Sequence, residues 1–147
     1  MMRHLTIYIM ICIAALCFHS CSPEDDINGI FVGKTWKLSN ICNDKDAPML
    51  SQDDVDQVNV GGRFVITFSE STFTARATTM EVEGTWQAVN DGNAFAVTIT
   101  KTDGTESTAL GNRFIEMLRG SSYYQADYNT LQLYNEGRTE YLLFRLQ

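Results

Sequence analysis

Glu81 and Glu83 stand two residues apart, a spacing that projects both carboxylates from one face if the segment is a strand. A carboxylate pair held roughly 5 to 9.5 Å apart can hydrolyse a glycosidic bond, one group acting as acid and the other as base or nucleophile. These two lie on the side opposite Trp86, the polar side, and read as a solvated face. Acidic residues recur at Asp44, Asp46, Asp53, Asp54 and Asp56, oxygen donors of the kind calcium takes. The Asp-x-Asp-x-Asp-Gly spacing with its distal Glu is missing, however. Gly61-Gly62 lacks the spacing and the lysine of a phosphate loop, and reads as a turn. The chain has 2 histidines, His4 and His19, so no base of that kind follows residue 19 and Ser-His or Cys-His mechanisms have no partner there. The chain reads as a non-enzyme with no cofactor.

Both histidines fall in a segment with an export signature. Met1-Met2-Arg3-His4 is a short basic start, and Leu5 to Phe18 is an apolar run free of Asp, Glu, Lys and Arg. That is the layout of a secretory signal peptide, and the run is shorter than the roughly 20 residues a membrane-spanning helix needs. Ser20-Cys21 resembles the lipobox of bacterial lipoproteins, in which the leader is cut before a cysteine that carries lipid. The resemblance implies lipidation at Cys21 and attachment to a membrane of the cell envelope. Ser22-Pro23-Glu24-Asp25-Asp26 follows, and the acidic run is similar to a signal that sends lipoproteins of some Gram-negative bacteria through the outer membrane to the cell surface. A solvated linker explains the same residues. The expected organisation is a signal peptide over 1–20, an acidic flexible tether over 21–32, and one domain over 33–147.

Beyond Cys21 the chain keeps all 18 acidic residues but loses Arg3, for a formal charge of −8. Such a balance repels polyanions, so nucleic acid is excluded as a partner. Cys12 and Cys17 leave with the leader and Cys21 takes lipid. Cys42 then stands alone, either a small buried hydrophobe or a reactive or intermolecular thiol, with no intramolecular disulfide or cysteine zinc site remaining.

Short alternating segments fill the remainder. Thr35 to Ile41, Arg63 to Ser69, Thr72 to Thr78, Met80 to Ala88 and Phe95 to Ile99 each set apolar side chains on one side. Tyr123 to Tyr128, Thr130 to Asn135 and Thr139 to Leu146 do the same near the end. Asn90-Asp91-Gly92-Asn93 is a hairpin signal, because these residues tolerate positive φ. Residues 42–62 read as a long acidic loop with one helical turn near Gln52 to Val58. Leu110, Phe114, Met117 and Leu118 recur at helical spacing, with Thr108 or Asn112 as N-cap and Gly120 as stop. The fold class is mainly β: an antiparallel, barrel-like sheet of about seven or eight strands with one α-helix.

Phe114 and Leu118, Tyr123, Asn129-Thr130-Leu131-Gln132-Leu133-Tyr134, Gly137 and Leu142-Leu143-Phe144 together resemble the META domain of exported bacterial lipoproteins. Gly33-Lys34-Thr35-Trp36-Lys37-Leu38 is similar to that family's opening strand. The Gly-Cys-Asn motif usual there has no counterpart between Arg63 and Lys101, and this middle part is more similar to small lipocalin-like domains. These resemblances imply a barrel-like fold and carry no catalytic residue across.

Trp36, Phe64, Phe68, Phe73, Trp86 and Phe95 all fall on inward faces. With Ala75, Ala77 and Gly84 beside them, they either fill a core or line a cavity for a small apolar ligand. Two functions follow: an envelope-anchored interaction or structural module using the 42–62 loop and exposed tyrosines to meet an envelope protein, or a lipocalin-like carrier.

Overall fold

The computed structural model describes residues 26–147. The leader, Cys21 and the acidic residues Glu24 and Asp25 lie outside them. Eight antiparallel strands close in a ring in the order of the sequence: β1 (Thr35–Asn43), β2 (Val65–Phe68), β3 (Thr72–Arg76), β4 (Glu81–Val89), β5 (Ala94–Asp103), β6 (Ser121–Ala126), β7 (Thr130–Asn135) and β8 (Glu140–Leu146). Each strand pairs with its sequence neighbour, and β1 pairs with β8 to close the ring. Such an order needs only short turns. Asp91–Asn93 supplies one as a 3-10 turn in which Gly92 and Asn93 take φ of 68° and 50°.

Three α-helices accompany the ring among the described residues, where the periodicity predicts one. The predicted helix is the longest, α3 (Ala109–Arg119). Thr108 caps it by accepting from the Gly111 N–H, and Leu110, Phe114, Ile115 and Leu118 turn inward. The predicted turn in the acidic loop is α2 (Gln52–Val58), opened by a reciprocal capping box between Ser51 and Asp54.

The third helix, α1 (Ile27–Phe31), lies where the sequence reading expects a flexible tether. The folded unit therefore begins before Gly33. Asp26, which counts toward an acidic tether by composition, accepts a hydrogen bond from Gly29 N–H at 2.9 Å and starts this helix. Val32 then forms a bridge to Phe68, and Gly33, at φ 75°, donates to the Phe68 carbonyl, which fixes α1 across one end of the ring.

A β-bulge interrupts the β4–β5 ladder between Glu83 and Gly84, leaving Thr100 as the extra residue on β5. Gly84 is required there: a Cβ would come within 1.9 Å of the Thr98 carbonyl oxygen and 2.9 Å of the Phe73 ring. Because the first obstacle is backbone, it cannot rotate aside. Gly84→Ala is expected to destabilise the fold by about 3 kcal/mol, read as a lower denaturant midpoint. An unchanged midpoint would show that the bulge re-forms around the methyl group.

Candidate functional site

All six inward aromatic residues are buried, and three of them, Phe68, Trp86 and Phe95, surround Phe31. Its ring is fully buried, 5.0 Å from Phe68, 4.9 Å from Trp86, 5.5 Å from Phe95 and 5.4 Å from Tyr124, centroid to centroid. Phe68 packs in turn on Phe73, Trp86 and Phe95. At the far end Phe64 meets Phe114, which meets Phe144, so α3 fills that side. Trp36, Phe64, Phe68 and Phe73 have essentially no exposed surface, and Ala75 and Ala77 are covered as well. These side chains form one buried hydrophobic core, with Phe31 in its midst. Trp86 satisfies its indole N–H on the Ser69 carbonyl at 2.9 Å, whereas the buried Trp36 indole has no acceptor among the described residues.

The other candidate groups are separated by the fold. Glu81 and Glu83 do share the outer face of β4, but each has a basic partner on a neighbouring strand: Arg76 at 2.7 Å and Lys101 at 3.2 Å. Asp54 caps α2, Asp56 accepts from the Gln52 amide at 3.0 Å, and Asp46 accepts from the Tyr141 hydroxyl at 2.9 Å. Asp54 and Asp56 thus serve the local helix, and Asp46 ties its turn to β8. The 42–62 segment is itself part of the folded body. Val58 is buried, and the Lys37 ammonium donates to the carbonyls of Val60 and Arg63. Cys42 is buried, and burial pushes its thiol up, away from the reactive thiolate. Of the late tyrosines, Tyr124 and Tyr141 are buried and Tyr123 lies under the Arg138 guanidinium, 4.0 Å away; Tyr128 is the exposed one.

Glu106 was not singled out by its sequence context, yet it is a buried carboxylate with five donors. One oxygen accepts from the backbone N–H groups of Thr78, Thr79 and Met80 at 3.0, 3.0 and 3.3 Å. The other accepts from the Thr108 N–H and hydroxyl at 3.1 and 2.9 Å. Desolvation alone would raise its pKa, but the backbone and hydroxyl donors outweigh it and bring the carboxyl down to about 2. Because Thr108 is also the cap of α3, Glu106 fastens the β3–β4 turn to the start of that helix. Gly111 leaves it room, since a Cβ there would sit 2.4 Å from a carboxylate oxygen.

On the outside, the ring is closed unevenly. Among the described residues, the β5–β6 ladder consists of the Ala94–Tyr123 pair alone, whereas β4 pairs with β5 from Val89 to Glu81. Among the described residues, no β-bridge joins the outer edge of β5 to β6 past Ala94. A groove of about 400 Å³ follows this edge, lined by Val97, Thr98, Ile99, Thr100, Lys101 and Thr102, with Arg119 from the end of α3. Consecutive strand residues point to opposite faces, so a groove touching six in a row touches the edge itself.

The architecture is a closed eight-stranded antiparallel ring around a buried aromatic core. The chain belongs to DUF4847, a domain of unknown function, whose family model matches residues 22–146. That span includes α1, in agreement with a domain that starts before Gly33. The fold is similar to the crystal structure of a DUF4847 family protein from Bacteroides vulgatus, at 28% identity and a TM-score of 0.66, covering 81% of this chain and 96% of that one. It is also similar to the NMR structure of a protein from Burkholderia xenovorans, at 16% identity and a TM-score of 0.54, covering 80% and 83% of the two chains. The second likeness is one of fold. No curated protein matches the chain.

Proposed function

We propose that the protein is a non-enzymatic lipoprotein of the cell envelope, held to the outer membrane by lipid on Cys21 and acting through its outer surface. The observation that carries this reading is the position of Phe31, which fills the space between Phe68, Trp86, Phe95 and Tyr124 and leaves the exterior as the place for contacts. The leader, Ser20-Cys21 and the acidic residues after it support the anchoring. Phe31 stands ten residues after Cys21, so the domain would sit close to the membrane surface. The carrier reading needs Phe31 to leave its aromatic surroundings, which costs the burial of a phenyl ring.

Two measurements test the proposal. Cys21→Ala should move the protein from the membrane to the soluble fraction of the envelope; equal membrane association would overturn the anchoring. Native mass spectrometry of the detergent-extracted protein should give the mass of the processed chain plus its lipid. A reproducible further mass, released on unfolding, would overturn the surface reading in favour of a carrier.

A further inference from the structure

We infer that the free edge of β5 from Ala96 to Ile99 is a strand-addition site for an extended, carboxylate-bearing segment of a partner protein. This rests on the surface reading above and names the surface. A strand edge without a neighbour presents a row of backbone donors and acceptors, and an extended peptide satisfies them by pairing. β5 offers that row beyond Ala94, past its one pair with β6 among the described residues. Its Val97 and Ile99 are half-buried at the groove and Thr98 and Thr100 exposed, so an added strand would find an apolar side and a hydroxyl side in alternation.

Charge selects the kind of segment. In a chain of formal charge −8 after residue 20, the groove lining holds two cations, Lys101 and Arg119, and no carboxylate. Lys101 shares Glu83 across the ladder in an exposed pair, which leaves its charge available to a second carboxylate. Arg119 is exposed at the end of α3 and forms no ion pair among the described residues. A second copy of the chain is a poor occupant. The bulge at Thr100 and the charge of Lys101 are devices that blunt edge-to-edge self-pairing, and two acidic copies repel. A strand from another protein with carboxylates opposite Lys101 and Arg119 meets local attraction instead, and over Ala96 to Ile99 it pairs short of the bulge.

The test uses the full chain in detergent and a synthetic peptide, acetyl-Glu-Val-Thr-Val-Thr-Glu-amide, followed by amide NMR. Binding should shift and protect the amides of Ala96 to Ile99. Arg119→Glu, with melting unchanged, should weaken this peptide about tenfold and favour its Lys-terminated version. A peptide methylated at alternate backbone nitrogens should not bind, since it cannot pair. The inference is overturned if no peptide binds, if the protected amides lie elsewhere, or if Arg119→Glu and backbone methylation change nothing. It is overturned also if sedimentation shows a dimer that the peptide dissociates, for then a second copy is the occupant. A co-purified interior ligand would instead sink the surface reading, so the two failures are distinct.

Discussion

Replacing Glu106 with alanine is expected to cost about 3 kcal/mol or more, because it strands buried donors and unfastens the start of α3 from the β3–β4 turn. The carboxylate accepts from four backbone N–H groups and one hydroxyl, and no other side chain stands in for it. Glu106→Gln separates charge from shape. Its amide keeps one acceptor oxygen but sets an NH2 against N–H donors on the other side, so its loss should fall between wild type and alanine. Acid stability follows from the same geometry. The group titrates near 4.5 in an unfolded chain and at about 2 in the fold, so the unfolded state binds the proton first as pH falls. Its contribution is complete above about pH 4.5 and is lost progressively toward pH 2. Denaturation series at pH 7, 4 and 2.5 should show wild type losing more stability than Glu106→Gln over this interval. Parallel loss in both proteins would remove Glu106 from the acid response.

Phe31→Ala is expected to destabilise the fold by about 3 to 5 kcal/mol, the range for emptying a buried phenyl site. Four rings lose a partner at once, and α1 loses the side chain that holds it to the ring. The measurement is the urea midpoint at constant slope. Moving the residue also predicts a boundary effect. A shortened chain starting at Gly33 lacks the same side chain and should be destabilised at least as much as the point variant. If either were as stable as wild type, Phe31 would be an ornament on the barrel end rather than part of its core.

The strands were legible because alternation is local. Phe64, Ile66 and Phe68, or Leu131 and Leu133, declare an inward face within one segment, and seven of the eight ladders join neighbours in sequence, the β1–β8 ladder being the exception. The six aromatic residues were legible for the same reason. Their role was not, since filling depends on Phe31, which arrives from outside the ring in a segment whose Asp26 and Asn28 read as linker. A five-residue helix has too few turns to show a period. Ile30-Phe31-Val32 was the available signal, an apolar triplet in an otherwise polar stretch. Glu106 was hidden differently. Its neighbours, Thr105 and Ser107, look like loop, and three of its five donors come from positions 78–80, which nothing local connects to it. The open edge of β5 was out of reach too, because alternation specifies faces and says nothing of which strand stands alongside. Alternation puts some of the late tyrosines outside, and the structure sorts them: Tyr124 and Tyr141 are buried and Tyr128 is exposed.

The most direct test of a closed interior is the binding of a small apolar fluorophore, N-phenyl-1-naphthylamine, to wild type and to Phe31→Ala, each held well below its melting temperature. The account predicts no saturable fluorescence rise for wild type and a saturable one for Phe31→Ala, in which the space between Phe68, Trp86 and Phe95 has been vacated. Equal saturable binding by both proteins would contradict it, for the interior would then admit a ligand with Phe31 in place.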